Sequence, residues 1–340
     1  MSLLARPAMA SLAARALQRL TALAGRRIAS PLLSRYPEYP RNTRELTVPT
    51  SAGPARAVVY LPGTATVTDT ASGSIPAPPV HVNFHGGGYV LPPIELDDPL
   101  CRFLAAEAGV AVVNVDYVVA PQHPFPAPPH QAYEIVRWVA AHGAEHGWDG
   151  DRLTVGGQSA GGGLAAAVAR QALEARQGRR AGGDAVNTND GAPAIALQVL
   201  HYPPLDLATH ARDKRAAIAK PVLRPWMADV FDSAYVPDPR RRTDRLVSPA
   251  HPSDTADLTG IAPAFVVTAE HDLLRAEGVR YAERLREAGA LLDHYDVPGV
   301  DHGYDQRDAE TARGVYALIA AHVRRATIAG PENTPRENQS

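Results

Sequence analysis

From Val80 onward the chain alternates two hydrophobic rhythms. Short runs rich in β-branched and aromatic residues occur at Val80–Phe84, Val110–Val115, Leu153–Val155, Ile195–Leu200, Phe265–Thr268 and Leu292–Val297. They have the length of strands, and most are apolar at successive positions, as strands buried on both faces are. Longer stretches with helical spacing separate them, at Leu100–Ala108, Ala132–Ala141, Ala160–Arg176, Gly278–Ala288 and Ala309–Arg325. Strand and helix in alternation predict the α/β class, with a mostly parallel sheet flanked by helices. Ahead of this region, Glu45–Val48 and Ala57–Tyr60 predict a strand pair, and the Thr-, Ser- and Pro-rich Gly63–Pro79 an exposed connection.

Four segments stand outside the alternation. Leu12, Ala16, Leu20 and Leu23 recur at helical spacing, so residues 1–45 are expected to form N-terminal cap helices on a main domain of residues 46–328. Residues 203–247 form a long insertion between two sheet strands and hold Trp226, Met227, Phe231 and Tyr235. An insertion there is expected to sit over the strand C-terminal ends, where open α/β sheets bind ligands, and so to complete a helical cap. Gly178–Pro193 reads as a mobile surface loop and the polar residues 329–340 as a disordered tail.

Charge adds little. The net charge of −2 gives no reason to expect a nucleic-acid partner. Cys101 is the only cysteine, which excludes an intrachain disulfide and leans toward a cytoplasmic location. The first acidic residue is Glu38, after six arginines. Arg15 and Arg19 interrupt the apolar stretch that a signal peptide would need. No run reaches transmembrane length.

The chemistry lies in two glycine motifs. Gly157-Gln158-Ser159-Ala160-Gly161 follows a predicted strand and opens a predicted helix. Small neighbours let such a turn be sharp, so that the Ser159 hydroxyl stands clear of the backbone. His85-Gly86-Gly87-Gly88, after the strand Val80–Phe84, supplies bare N–H groups that can approach a developing oxyanion closely. A serine nucleophile needs a base, and the base an orienting acid, and in an architecture with the serine on a strand-to-helix turn the chain order is Ser, acid, His. Asp272, just past the strand Phe265–Thr268, is the expected acid, and His302, in the loop after Leu292–Val297, the expected base. Asp301 and Asp296 are rival acids, placed less well because both crowd the histidine's own loop. His142 and His146 share a helical face, but Gly143 stands where a zinc-protease helix needs glutamate, so no metal is expected.

These motifs resemble the hormone-sensitive-lipase-like branch of the α/β-hydrolases, the bacterial family IV esterases. The likeness runs from about Val80 to about Tyr304. It includes Asp116-Tyr117, Ala120-Pro121, His123-Pro124-Phe125-Pro126-Ala127, Ser159-Ala160-Gly161-Gly162, Glu277-Gly278 and His302-Gly303. The resemblance implies an α/β-hydrolase fold with Ser159 as nucleophile, His302 as base and Asp272 as its orienter. Gly87, Gly88 and Ala160 would form the oxyanion hole. His85 would anchor the loop rather than react, with Gly86, Gly157 and Gly161 in support. No cofactor is implied.

Three departures concern neighbouring positions. Gln158 replaces an acid that the family carries before the nucleophile, Gln122 replaces another, and Leu273 and Ala276 stand where the family has Pro and Asp. Gln122 and Gln158 are expected to face one another as a neutral amide pair. The expected activity is hydrolysis of carboxylic esters of short to medium acyl chains. An amide deacylase or acyltransferase is the alternative, and a non-catalytic ligand-binding member of the fold a third reading. The expected partner is a small-molecule ester, and a homodimer is left open.

Overall fold

The computed structural model describes residues 3–63, 76–92, 94–180, 191–215 and 217–329. The strands are β1 (Thr43–Val48), β2 (Ala55–Tyr60), β3 (Pro79–Phe84), β4 (Ala111–Asp116), β5 (Asp149–Gln158), β6 (Ile195–His201), β7 (Ala264–Ala269) and β8 (Leu291–Val297). The α-helices are α1 (Pro7–Leu33), α2 (Asp98–Glu107), α3 (Ala127–Ala141), α4 (Gly143–His146), α5 (Ala160–Arg180), α6 (Pro225–Tyr235), α7 (Arg275–Glu287) and α8 (Ala309–Ala329). Among the described residues the strands form one sheet of order β1-β2-β4-β3-β5-β6-β7-β8. β2 pairs antiparallel with β1 and β4, and every other pair is parallel. The mostly parallel sheet is borne out.

Successive residues of the central strands serve opposite faces. Val80, Val82 and Phe84 of β3, Val113 and Val115 of β4, and Val266 of β7 join the core formed with α3, α5 and α7. Val112 of β4, Leu197 and Val199 of β6, and Phe265 and Val267 of β7 join a second core with α2 and α8. Two covered faces explain why these runs lack the polar alternation of a half-exposed strand. β8 lies at the sheet edge and is more exposed along its length.

Element boundaries moved where local chemistry allowed. β5 runs from Asp149 to Gln158, well beyond the short apolar centre that betrays it. α3 begins at Ala127, with Pro128 and Pro129 in its first turn. Proline is tolerated there, because first-turn N–H groups have no partner within the helix. α5 and α8 run to Arg180 and Ala329. The rest of the expected Gly178–Pro193 loop through 190, the centre of the Gly63–Pro79 connection and the tail from 330 lie outside the described residues.

The N-terminal helix forms, and the residues it buries are not the regularly spaced leucines. Leu12 and Leu20 are more than 60% exposed and Leu23 is 85% exposed, whereas Ala10 and Ala14 are fully buried with Leu17 packed beside them. The helix carries apolar residues around much of its circumference, so spacing alone did not choose a side. Alanines allow close approach to α6, where Ser233 Oγ donates to the Ala5 carbonyl at 3.1 Å. No described helix is long and apolar enough to cross a membrane.

Candidate active site

Ser159 sits between the end of β5 and the start of α5 with φ of +52°, a left-handed conformation unusual for a residue with a side chain. The turn depends on its neighbours being small. A Cβ on Gly161 would lie 1.7 Å from the Phe84 carbonyl oxygen, so any side chain there would push β3 away. The Ser159 N–H donates to the His201 carbonyl at 2.9 Å, pinning the turn to the end of β6.

The loops after β7 and β8 bring Asp272 and His302 to this turn. Ser159 Oγ lies 2.9 Å from His302 Nε2, and His302 Nδ1 lies 2.7 Å from Asp272 Oδ2. A carboxylate only accepts, so Nδ1 carries the proton and Nε2 is left to accept from the serine hydroxyl. Burial of the imidazole disfavours its cation. The Asp272 carboxylate, with Asp301 and Asp305 nearby, more than offsets this and holds the pKa above the ordinary histidine value. The rival acids are engaged elsewhere. Asp301 accepts from the backbone N–H groups of His302 (2.7 Å) and Val222 (2.6 Å). Asp296 pairs with Arg275 at 2.8 Å and accepts from Thr268 at 2.6 Å.

Gly86, Gly87 and Gly88 pass beside Ser159. The N–H groups of Gly87, Gly88 and Ala160 make no hydrogen bond among the described residues and remain available to an oxyanion. His85 is fully buried, and its ring stacks on Tyr117 with centroids 4.3 Å apart. Its Nδ1 lies 2.6 Å from the Gly86 carbonyl, and burial lowers its pKa to about 4, so it is a neutral anchor. His142 and His146 stack against Trp138 and Trp148, as packing residues do. Among the described residues no group of three or more His, Cys, Asp or Glu is arranged to hold a metal ion.

The site opens into a cavity of about 260 Å³. Met227 and Phe231 of α6 line it, together with Leu207, Leu223, Leu273 and Leu274. Two of the four residues expected to roof the site do not. Trp226 is 44% exposed and faces away, and Tyr235 is buried with its ring stacked 4.0 Å from that of Tyr89. Among the described residues, none of α1 lines the cavity. The helix supports the site from behind, where Gln18 Nε2 donates to the carbonyls of Val90 (2.8 Å) and Ala120 (3.0 Å).

The expected Gln122–Gln158 pair does not exist. Gln122 exchanges amide hydrogen bonds with Gln18, at 2.8 and 3.1 Å. Gln158 donates instead to the buried carboxylate of Asp305, which also accepts from Tyr202 Oη at 2.6 Å and Tyr316 Oη at 2.9 Å. An acid at position 158 would face Asp305 with like charge, so an amide suits this site. Sequence reasoning missed Asp305, whose only signal was its position three residues past His302.

Comparison with known proteins agrees with this architecture. A family model described as the alpha/beta hydrolase fold matches residues 81–306. The chain is an α/β-hydrolase. Carboxylesterase NlhH of Mycobacterium tuberculosis is 36% identical to it over 228 residues, a match spanning 66% of either chain. Esterase LipI of the same species is 34% identical over 281 residues, 80% of this chain and 78% of LipI. Among solved structures, an esterase of the archaeon Pyrobaculum calidifontis superposes on 93% of this α/β-hydrolase and 94% of its own chain, with a TM-score of 0.74 and 30% identity. The resemblance to the hormone-sensitive-lipase-like branch is borne out.

Proposed function

We propose that this chain, a carboxylic ester hydrolase of the α/β-hydrolase family, cleaves esters of short to medium acyl chains through an acyl-enzyme on Ser159. The observation that carries the reading is the unbroken line of hydrogen bonds from Asp272 through His302 to Ser159, ending at a cavity with three unengaged N–H groups. His302 Nε2 takes the hydroxyl proton as Ser159 Oγ attacks the acyl carbon, and the carbonyl electron pair moves onto oxygen. That oxyanion is held by the N–H groups of Gly87, Gly88 and Ala160. Collapse expels the alcohol, which receives the proton from Nε2. Water then repeats the sequence on the acyl-serine, releasing the acid and restoring the hydroxyl. Asp272 keeps Nδ1 protonated and stabilises the transient imidazolium.

The chain-length preference is supported by the cavity's limited volume and by its walls of Leu, Met and Phe. Measuring kcat/KM for p-nitrophenyl esters of increasing acyl length, beside matched anilides, tests both parts. The reading expects a maximum at short or medium chains and slow anilide turnover. Faster hydrolysis of anilides, or a rate still rising at long chains, would overturn it.

A further inference from the structure

One wall of the catalytic cavity departs from its apolar character. Lys214, from the segment after β6, and Asp232 of α6 both line it, between Leu207, Ala211, Met227 and Ala228. The lysine is already neutralised. Its Nζ lies 2.6 Å from Glu277 Oε2 and donates to the Asp206 carbonyl at 2.7 Å, with only 10% of the side chain exposed. Its pKa stays raised despite burial, because Glu277 faces it directly and the Asp232 carboxylate adds to the attraction from farther away.

Asp232 has no such partner. Among the described residues its carboxylate accepts no hydrogen bond and has no cation within 4 Å. The neighbouring charges are committed elsewhere. Arg242 donates to Ser233 Oγ at 2.9 Å, Asp229 pairs with His210 and Arg212, and Arg280 pairs with Asp206. Glu277 offsets Lys214, which leaves Asp232 as a cavity-lining carboxylate that no ion pair within 4 Å offsets among the described residues, with Arg242 acting on it only from a distance. A half-buried carboxylate that faces the cavity without a counter-ion gains from an occupant that supplies one.

We propose that Asp232 forms a cation-binding subsite of the catalytic cavity, which selects carboxylic esters bearing an ammonium group. The inference rests on the ester-hydrolase reading and refines it from esters in general to cationic ones. Burial raises the Asp232 pKa to about 6, against the pull of Lys214 and Arg242 and with the push of Glu277 and Asp229. The Tyr89 phenol, from the loop after β3, also faces it and stays neutral, its own pKa raised by burial. The subsite is therefore charged at neutral pH and loses its charge in mild acid, whereas an aliphatic ammonium stays protonated throughout.

The test compares kcat/KM for two pairs of near-isosteric esters, followed by acid release. Ethyl 4-aminobutyrate against ethyl pentanoate places the charge on the acyl side, and choline butyrate against 3,3-dimethylbutyl butyrate on the alcohol side. In at least one pair, the ratio of cationic to neutral ester should fall by about tenfold or more in Asp232→Asn. In the unaltered protein the same ratio should fall between about pH 8 and about pH 5, with its midpoint near the Asp232 value. Titration of His302 affects both esters of a pair and cancels in the ratio, so this arm stands even if the variant fails to fold. Ratios within about twofold across the pH range in both pairs would overturn the subsite while leaving ester hydrolysis intact. Turnover of none of the four esters would overturn the hydrolase reading, and the subsite with it.

Discussion

Gln158, the residue immediately before the proposed nucleophile, donates its side-chain amide to the buried carboxylate of Asp305, three residues beyond the proposed base. The contact ties the turn at the end of β5 to the loop after β8, so one hydrogen bond helps fix the relative position of Ser159 and His302. Tyr202 and Tyr316 complete the set of donors around Asp305. Asp305 thus accepts from three side-chain donors.

Gln158→Glu should therefore destabilise the fold by about 2–4 kcal/mol at neutral pH, because it sets two carboxylates against each other out of water. Repulsion raises the folded-state pKa of the pair above its unfolded value, so its stability contribution is present at low pH and lost as pH rises through the folded value. Thermal melts of parent and variant should diverge as pH rises from about 5 to about 8. Parallel curves would mean that Gln158 and Asp305 are not coupled.

Proton transfer through His302 gives a second expectation. The base must be neutral to act, and its pKa is raised chiefly by Asp272 against the effect of burial. Activity should fall as pH drops through a value above that of an ordinary histidine. Asp272→Asn should lower the plateau of kcat by on the order of 10⁴ and move this limb to lower pH, since burial is then opposed only by Asp301 and Asp305. Asp301→Asn should cost about tenfold or less, because the aspartate holds backbone N–H groups rather than the imidazole. Paired pH profiles of the two variants check this, and a larger loss in Asp301→Asn would exchange their roles.

Gly88 lies directly beneath Phe231. It has φ of +63°, and a Cβ there would come within 2.6 Å of the Phe231 ring. Gly88→Ala should reduce kcat/KM by ~10², the loss expected for displacing one oxyanion donor. Adding Phe231→Ala should recover part of the rate by removing the collision, but not all, because the left-handed backbone still disfavours alanine. Absence of any recovery would locate the whole defect in the backbone.

α1 bears on the site indirectly. Deleting residues 1–24 would remove the Gln18 contacts and uncover α6, which carries Met227 and Phe231 into the cavity. The truncated protein should show a broader acyl-length profile at lower kcat/KM. An unchanged profile would mean that α6 holds its place without α1.

How much of this was legible in the sequence follows from the range of each interaction. The Ser159 turn and the Gly86–Gly88 loop are local events, written in adjacent small residues. Strand order and crossover chemistry then restrict where an acid and a base can enter, so Asp272 and His302 were legible as well. The partners of Gln158 and Gln122 were not, because they lie 147 and 104 positions away along the chain. Nothing in two isolated glutamines distinguishes mutual pairing from capture by Asp305 or Gln18. The buried face of α1 was illegible for another reason. Leucine and alanine stripes coexist on it, and the close approach of α6 favoured the smaller side chains.

Covalent capture tests the central claim most directly. The protein is mixed with p-nitrophenyl butyrate, quenched in acid within the first turnovers, digested and examined by mass spectrometry. The account predicts a butyryl group on the peptide containing Ser159, assigned to that hydroxyl by fragmentation, and neither adduct nor turnover in Ser159→Ala. Butyrylation of another residue, or ester turnover that survives in Ser159→Ala, would contradict it.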